Sequence, residues 1–203
     1  MARQPSFDRD DILKKAMELF WSKGFQGTSL KDLETVLDLR PGSIYAAFGS
    51  KEALFAETLD LYSRESGRQL RKTLDAAPSP LAGLASHMRR LGCIVTDEPP
   101  SKACMLVKTL LELPENDRKL RQMTEDLIKD AEAVFRGAFQ ASKDAGEIDE
   151  NADPDILAAR LQSEIFGLRA YAQRAGSDRL VPRLAEGIAR EIEALAVRKP
   201  EQV

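Results

Sequence analysis

The apolar residues of this chain recur with the period of a helix. Ile12, Leu13, Ala16, Leu19 and Phe20 fall at i, i+1, i+4, i+7 and i+8, one stripe along a cylinder of 3.6 residues per turn. Ser6 or Asp8 is placed to cap the start of this helix, and Gly24 to stop it. Leu30, Leu33 and Leu37 mark a second, short helix, with Thr28 as its predicted N-cap. Asp38 follows, a residue that tolerates the left-handed backbone of a tight turn. Pro41 and Gly42 then read as a turn feeding a third helix that runs to Phe48 and ends at Gly49. Ser50 caps a fourth, whose inner face is Leu54, Phe55, Leu59 and Tyr62.

The same period continues beyond a break at Ala76-Ala77-Pro78-Ser79-Pro80. Leu81, Leu84, Met88, Leu91 and Val95 predict a fifth helix, stopped at Asp97-Glu98-Pro99-Pro100. A short apolar helix is expected from 102 to about 112, closed by Pro114. A long one follows, with Leu120, Met123, Leu127, Ala131, Val134, Phe135, Ala138 and Phe139 on one side. Residues 146 to 152 read as a polar loop. Asp153-Pro154, an N-cap before an N1 proline, opens a helix to about Arg174. A last helix, roughly 178–197, carries Val181, Leu184, Ile188, Ile192 and Leu195. No alternation of apolar and polar residues supports a sheet. The prediction is an all-α chain of about nine helices, without internal repeats.

Composition narrows the class. The chain has 203 residues, 43% of them hydrophobic and 31% charged, which suits a globular protein with a sizeable core and excludes disorder throughout. No run approaches the roughly 20 apolar residues of a membrane span. The polar stretch from Met1 to Asp11 has no apolar signal-peptide core, so a cytoplasmic location is expected. The net charge of −3 argues against a nucleic-acid partner on charge alone. Nor is the charge segregated: residues 1–50 hold seven basic and seven acidic side chains. Any claim of DNA binding must come from pattern.

Candidate chemistry is sparse. Two cysteines, Cys93 and Cys104, cannot build a disulfide scaffold, and the single histidine, His87, makes no histidine-rich metal site. Their spacing matches no zinc-finger pattern. His87 is expected at or near the surface, without a role. There is no catalytic constellation and no phosphate-cradling glycine loop, so an enzyme is not expected, and no metal or cofactor is implied.

Three short helices within 50 residues, the last two joined by a tight turn, form the scheme of a helix-turn-helix reader. The third helix must be slim to enter a major groove about 12 Å wide. It offers Ser43, Ala46 and Ala47 on the face away from Ile44 and Phe48. Tyr45 has a hydroxyl within reach of a phosphate, or else covers the three-helix core. Lys51 stands at a helix N-terminus, where charge and dipole both attract phosphate, or else is an ordinary solvated lysine.

Gly24-Phe25, Thr28-Ser29 and the run from Gly42 through Tyr45, Phe48 and Lys51 to Phe55 resemble the DNA-binding domain of the TetR family of bacterial transcriptional repressors. The likeness is dense over about residues 8–55. It implies a DNA-binding domain at 1–52 and a ligand-binding and dimerisation domain at 53–203. It implies phosphate contacts by Thr28, Tyr45 and Lys51, and places Arg40, Pro41, Gly42, Ser43, Ala46 and Ala47 near base edges. Glu34 and Asp38 depart from the family pattern, in which a small residue and a glycine are common.

For the second domain, the resemblance implies a homodimer on a palindromic operator of double-stranded DNA, released by a small-molecule inducer. Candidate pocket residues are Tyr62, Met88, Leu91, Met105, Thr109, Met123, Leu127, Phe135 and Phe166, or these are plain core. Dimerisation is expected through the last two helices, at Ile165, Gly167, Leu168, Leu184 and Ile188. Cys104 is expected in the first turn of its short helix, with Lys102 and Lys108 nearby, a setting that lowers a thiol pKa. A NemR-like branch of the family senses electrophiles at a cysteine in a similar segment, so a thiol-sensing repressor is one alternative. A Cys93–Cys104 disulfide switch and a helical interaction module without DNA binding are the others.

Overall fold

The computed structural model describes residues 8–97, 99–114 and 117–197; Ser6, a proposed cap, lies outside them. Among the described residues there are nine α-helices. They are α1 (Arg9–Lys23), α2 (Leu30–Leu37), α3 (Pro41–Phe48), α4 (Lys51–Asp75), α5 (Pro80–Gly92), α6 (Met105–Glu112), α7 (Arg118–Asp144), α8 (Pro154–Tyr171) and α9 (Val181–Glu193). No described helix is long and apolar enough to cross a membrane.

Local chemistry sets most of the boundaries. The Asp8 carboxylate accepts from the Asp10 N–H and caps α1. Asp38 ends α2 in the left-handed region, φ 51° and ψ 43°. The Ser50 hydroxyl accepts from the Ala53 N–H, and Asp153 from the N–H groups of Asp155 and Ile156, just ahead of Pro154. Five boundaries differ from expectation. α5 ends at Gly92, and Cys93–Val95 form a 3-10 turn. Ser29, not Thr28, caps α2, in a reciprocal capping box with Asp32. The helix expected from 102 starts at Met105. α8 stops at Tyr171 rather than Arg174. The last helix splits into a 3-10 turn, Ser177–Arg179, and α9, because Pro182 suits only a helix start. The polar loop at 146–152 also hides one anchor, Ile148, which is buried and bridges to Ala196.

The chain forms two compact units. The first comprises residues up to 65 together with 105–127; the second comprises 66–104 and 128–203. The first is built on aromatic rings. Phe20 meets Phe55 edge-on at 4.9 Å, and Phe25 lies 4.8 Å from Phe55. Leu33, Ile44, Phe48, Leu54 and Leu59 complete the core, all nearly fully buried. Each such side chain contributes about 1.5–3 kcal/mol on removal from water.

In the second unit α5 lies against α9, and Gly92 makes the close approach possible. A Cβ there would stand 2.9 Å from the Cβ of Ala185 and 3.2 Å from the Cα of Pro182. Arg89 of α5 locks the pair from outside, bonding Glu186 at 2.8 Å and Glu193 at 2.6 Å. Leu84, Met88, Phe135, Phe139 and Leu161 fill the core between α5, α7 and α8. Ile165 and Leu168, expected to face a partner, belong to this core and leave little surface for one.

His87 corrects a second expectation. It is buried, its ring 5.8 Å from that of Phe135. Burial, with the charges of Arg90 and Arg169, pushes its pKa down to about 4. The unfolded chain holds that proton from about pH 6.5 downward, whereas the folded chain refuses it until about pH 4. His87 therefore adds full stability above pH 6.5 and loses it as the pH falls toward 4. Denaturant unfolding at pH 7 and pH 4 should show a fall to which His87 contributes on the order of 3 kcal/mol. His87→Phe should remove that part of the fall; an unchanged pH dependence in the variant would contradict the assignment.

Candidate nucleic-acid interface

The site is the outward surface of α3 and its flanks. Ile44 and Phe48 turn into the core of the first unit. That fixes what faces out: Arg40, Gly42, Ser43, Tyr45 and Ala46 are exposed, while Pro41 and Ala47 are half-buried. Tyr45 keeps 42% of its surface in solvent, so it does not serve as a lid on the core. Apart from Arg40 and Tyr45, the exposed groups are small. Such a helix can come close to a groove floor. Gly42 fits this reading. A Cβ there would meet nothing within 4 Å, and its φ does not require glycine. Nothing in its own chain excludes a side chain at that position.

α3 is held from behind. The Arg9 guanidinium stacks on Phe48 at 4.8 Å and reaches both Glu57 carboxylate oxygens, at 2.8 and 2.7 Å. The N-terminus of α4 stays in register through Phe55. Lys51, its first residue, lies over the Phe25 ring with Nζ 4.5 Å from the centroid. Partial burial lowers the Lys51 pKa, although Glu52 and Asp32 oppose the shift. Lys51 thus sits at a fixed point beside the N-terminus of α4, where a phosphate is favoured. Asp32 is committed elsewhere. Lys23 at 2.6 Å and Ser29 hold its carboxylate well below the usual carboxylate range and tie α1 to α2.

Thr28, expected at a phosphate, does not present its hydroxyl at the surface. It is fully buried, and its hydroxyl donates to the Gly24 carbonyl oxygen at 2.7 Å. It shapes the turn between α1 and α2 from inside. Of the three residues expected at phosphates, Tyr45 is exposed and Lys51 stands at the N-terminus of α4, with Arg40 exposed at the edge of α3.

α6 contributes to the first unit in a way that local patterns did not reveal. Lys108 Nζ donates to the carbonyls of Trp21 and Ser22, at 2.8 and 3.1 Å. These are carbonyls at the C-terminal end of α1, where a cation is favoured. One turn on, Glu112 accepts from the Phe25 N–H at 3.2 Å. Gly24, at φ 79°, leaves room for this carboxylate, since any Cβ there would collide with it. The only sequence signal was two opposite charges four residues apart on an apolar helix.

The remaining candidates are distributed as follows. Tyr62, Met105 and Thr109 are buried in the first unit, and Met123 and Leu127 are half-buried there. Met88 and Phe135 are buried in the second, and Leu91 and Phe166 half-buried. Gly167 and Leu184 are exposed and Ile188 half-buried. Cys104 is buried and precedes α6 rather than lying within its first turn. The lysines expected to activate it have other partners: Lys102 pairs with Asp178 at 2.8 Å, and Lys108 holds the end of α1. No disulfide joins Cys93 and Cys104.

Comparison with known proteins agrees with this geometry. Residues 12–58 match the family described as bacterial regulatory proteins, tetR family. Residues 80–188 match the tetracyclin repressor-like C-terminal domain. YezE of Bacillus subtilis, an uncharacterized HTH-type transcriptional regulator, is 29% identical over 89% of this chain and 94% of its own. ComR, an HTH-type transcriptional repressor of Escherichia coli, is 27% identical over 86% of this chain and 84% of its own. Among solved structures, a cysteine mutant of the TetR family regulator CifR, in complex with 26-bp double-strand operator DNA, superposes with a TM-score of 0.83. It is 30% identical, over 97% of this chain and 100% of that one. The chain belongs to the TetR family of bacterial regulatory proteins. It is a DNA-binding transcriptional regulator of the helix-turn-helix type.

Three substitutions separate the roles at this surface. Lys51→Ala should weaken binding to specific and unrelated DNA alike and shallow the slope of log affinity against log salt by about 0.9. Thr28→Ala should lower stability by about 1–2 kcal/mol and leave that slope untouched, because a buried acceptor loses its donor. Gly42→Ala should stabilise the free protein by about 0.4–1 kcal/mol yet weaken its DNA complex. Salt titrations of binding beside denaturant melts read all three. A normal salt slope in Lys51→Ala would remove Lys51 from the phosphate contacts.

Proposed function

We propose that this chain represses transcription as a two-fold dimer on a palindromic operator and is released by a small molecule bound in its second unit. The observation that supports it most is the outward face of α3, kept slim and open while Ile44 and Phe48 hold the opposite face. Tyr45 and Lys51 anchor the DNA backbone, and Arg40 with the small side chains of α3 approaches the bases. The domain at 1–52 reads DNA, and residues 53–203 supply assembly and response. The protein works in the cytoplasm, carries out no chemical step and needs no cofactor.

Dimerisation is assigned to the outer faces of α8 and α9. Ala159, Ser163, Gly167 and Ala170 form an exposed stripe of small residues along α8, which lets another helix come close. Ile156 and Leu184 are exposed apolar side chains, 66% and 44% accessible. Such a pair of helices, met by its two-fold copy, gives a four-helix interface. Ligand entry is assigned to the surroundings of Met88, Leu91, Phe135 and Phe166.

Gly167→Arg tests the assembly cleanly, because a Cβ at Gly167 meets nothing within 4 Å in its own chain. The variant should fold normally, sediment as a monomer at micromolar concentration and lose operator affinity at least tenfold. The binding assay is an electrophoretic shift with DNA from beside the protein's own gene. Unretarded DNA with the folded wild-type protein, or a wild type that sediments as a monomer, would overturn the proposal.

A further inference from the structure

The outward face of α3 carries a short list of chemical groups. Ile44 and Phe48 are buried, and Ala46 stands two residues from each, about 200° around the helix, so it points directly away from the core. Gly42 and Ser43, four and three residues before Ala46, share that outward face and are exposed with it. Arg40, the N-cap residue, is exposed too. Its side chain makes no cap bond to α3 and no ion pair among the described residues. From Arg40 to Phe48 there is no Asn, Gln, Asp or Glu. Those are the residue types that read adenine at N6 and N7 or cytosine at N4 in a major groove.

What is left defines the bases that can be recognised. A guanidinium bonds guanine at O6 and N7 together, and Arg40 is the one such group on α3 or its cap. A methyl group on an exposed helix face matches the C5-methyl of thymine. Ala46 offers one at the outermost point of α3, whereas Ala47 is half-buried. The Ser43 hydroxyl both donates and accepts, so it discriminates little. Gly42 has no side chain to read with and sets how near the helix can come. Tyr45 lies about 100° around the helix from Ala46, on the flank assigned to a phosphate. We propose that α3 reads each operator half-site at two kinds of base, guanine by the Arg40 guanidinium and thymine by the Ala46 methyl, and reads neither adenine nor cytosine directly. The proposal rests on the reading that α3 enters the operator's major groove, and it names the bases that groove must present.

The test uses the full chain and the retarded DNA fragment from beside the protein's own gene, remade with base analogues. Replacing guanine by 7-deazaguanine removes N7, and replacing thymine by uracil removes the C5-methyl. The wild type should bind the 7-deazaguanine fragment more weakly by about fivefold or more, and the uracil fragment by about twofold or more. Arg40→Ala should bind the natural fragment more weakly and be indifferent to 7-deazaguanine, yet keep its response to uracil. Ala46→Gly should be indifferent to uracil and keep its response to 7-deazaguanine. Ala46→Ser takes its place if circular dichroism shows that glycine loosens the fold. Full wild-type affinity for either analogue fragment overturns the proposal. So does a 7-deazaguanine response that persists in Arg40→Ala, or a uracil response that persists in both Ala46 variants. A larger loss on a 7-deazaadenine fragment than on the 7-deazaguanine one overturns it as well. An Arg40→Ala that weakens natural and unrelated DNA by the same factor would put Arg40 on the backbone, which sinks the guanine assignment and leaves DNA binding by α3 standing. Unretarded natural DNA with the folded wild type is the separate failure: it would sink the DNA reading, and this proposal with it.

Discussion

Phe25 is the point on which the DNA-binding unit depends. Its ring packs on Phe55 and carries Lys51 over its face. Its N–H is held by Glu112, from a helix 87 residues further along the chain. Gly24, immediately before it, must lack a side chain for that bond to form. One residue thus joins the turn after α1, the start of α4 and the end of α6. Lys51 has a definite place beside the N-terminus of α4 because the ring beneath it has one. Loss of the Glu112 bond would leave a partly buried N–H without a partner and loosen the same turn that Thr28 closes from inside.

This arrangement accounts for a protein with an overall negative charge and a nucleic-acid partner. Net charge averages over the whole molecule, whereas a phosphate responds to charge within about a Debye length. Three acidic groups of the first unit are paired in place: Asp32 with Lys23, Glu57 with Arg9 and Asp11 with Lys15. α3 carries no acidic residue. With no acidic side chain on α3 itself and Glu52 beside Lys51, binding should lean on shape and on the groups of α3 as much as on field strength.

The fold was largely readable from the chain because its helices announce themselves by period and by caps. Asp38, Ser50 and Asp153-Pro154 all act where local chemistry puts them. Where the reading failed, a distant partner decided the matter. Thr28 and Ser29 are both competent caps, and only the burial of Thr28 against Gly24 leaves the role to Ser29. His87 lies on an apolar stripe with Leu84, Met88 and Leu91, a pattern that predicts burial, yet its polarity suggested a surface site. Ile165 and Leu168 could not be sorted between core and partner by periodicity, since α8 is apolar or small on more than one side. The α3 surface was legible because it needs only residue size and phase. The hold of α6 on α1 was not, because it joins segments far apart in sequence.

The central claim is that the outward face of α3, with Lys51, is where DNA is bound. The most direct measurement is the map of backbone amide shifts by NMR as DNA from beside the protein's own gene is added. The account predicts that the largest shifts fall at residues 41–47 and 51, with Tyr45 among them, while the amides of α5 in the second unit stay near their free positions. Saturable binding accompanied by shifts confined to α8 and α9, with α3 unmoved, would contradict it.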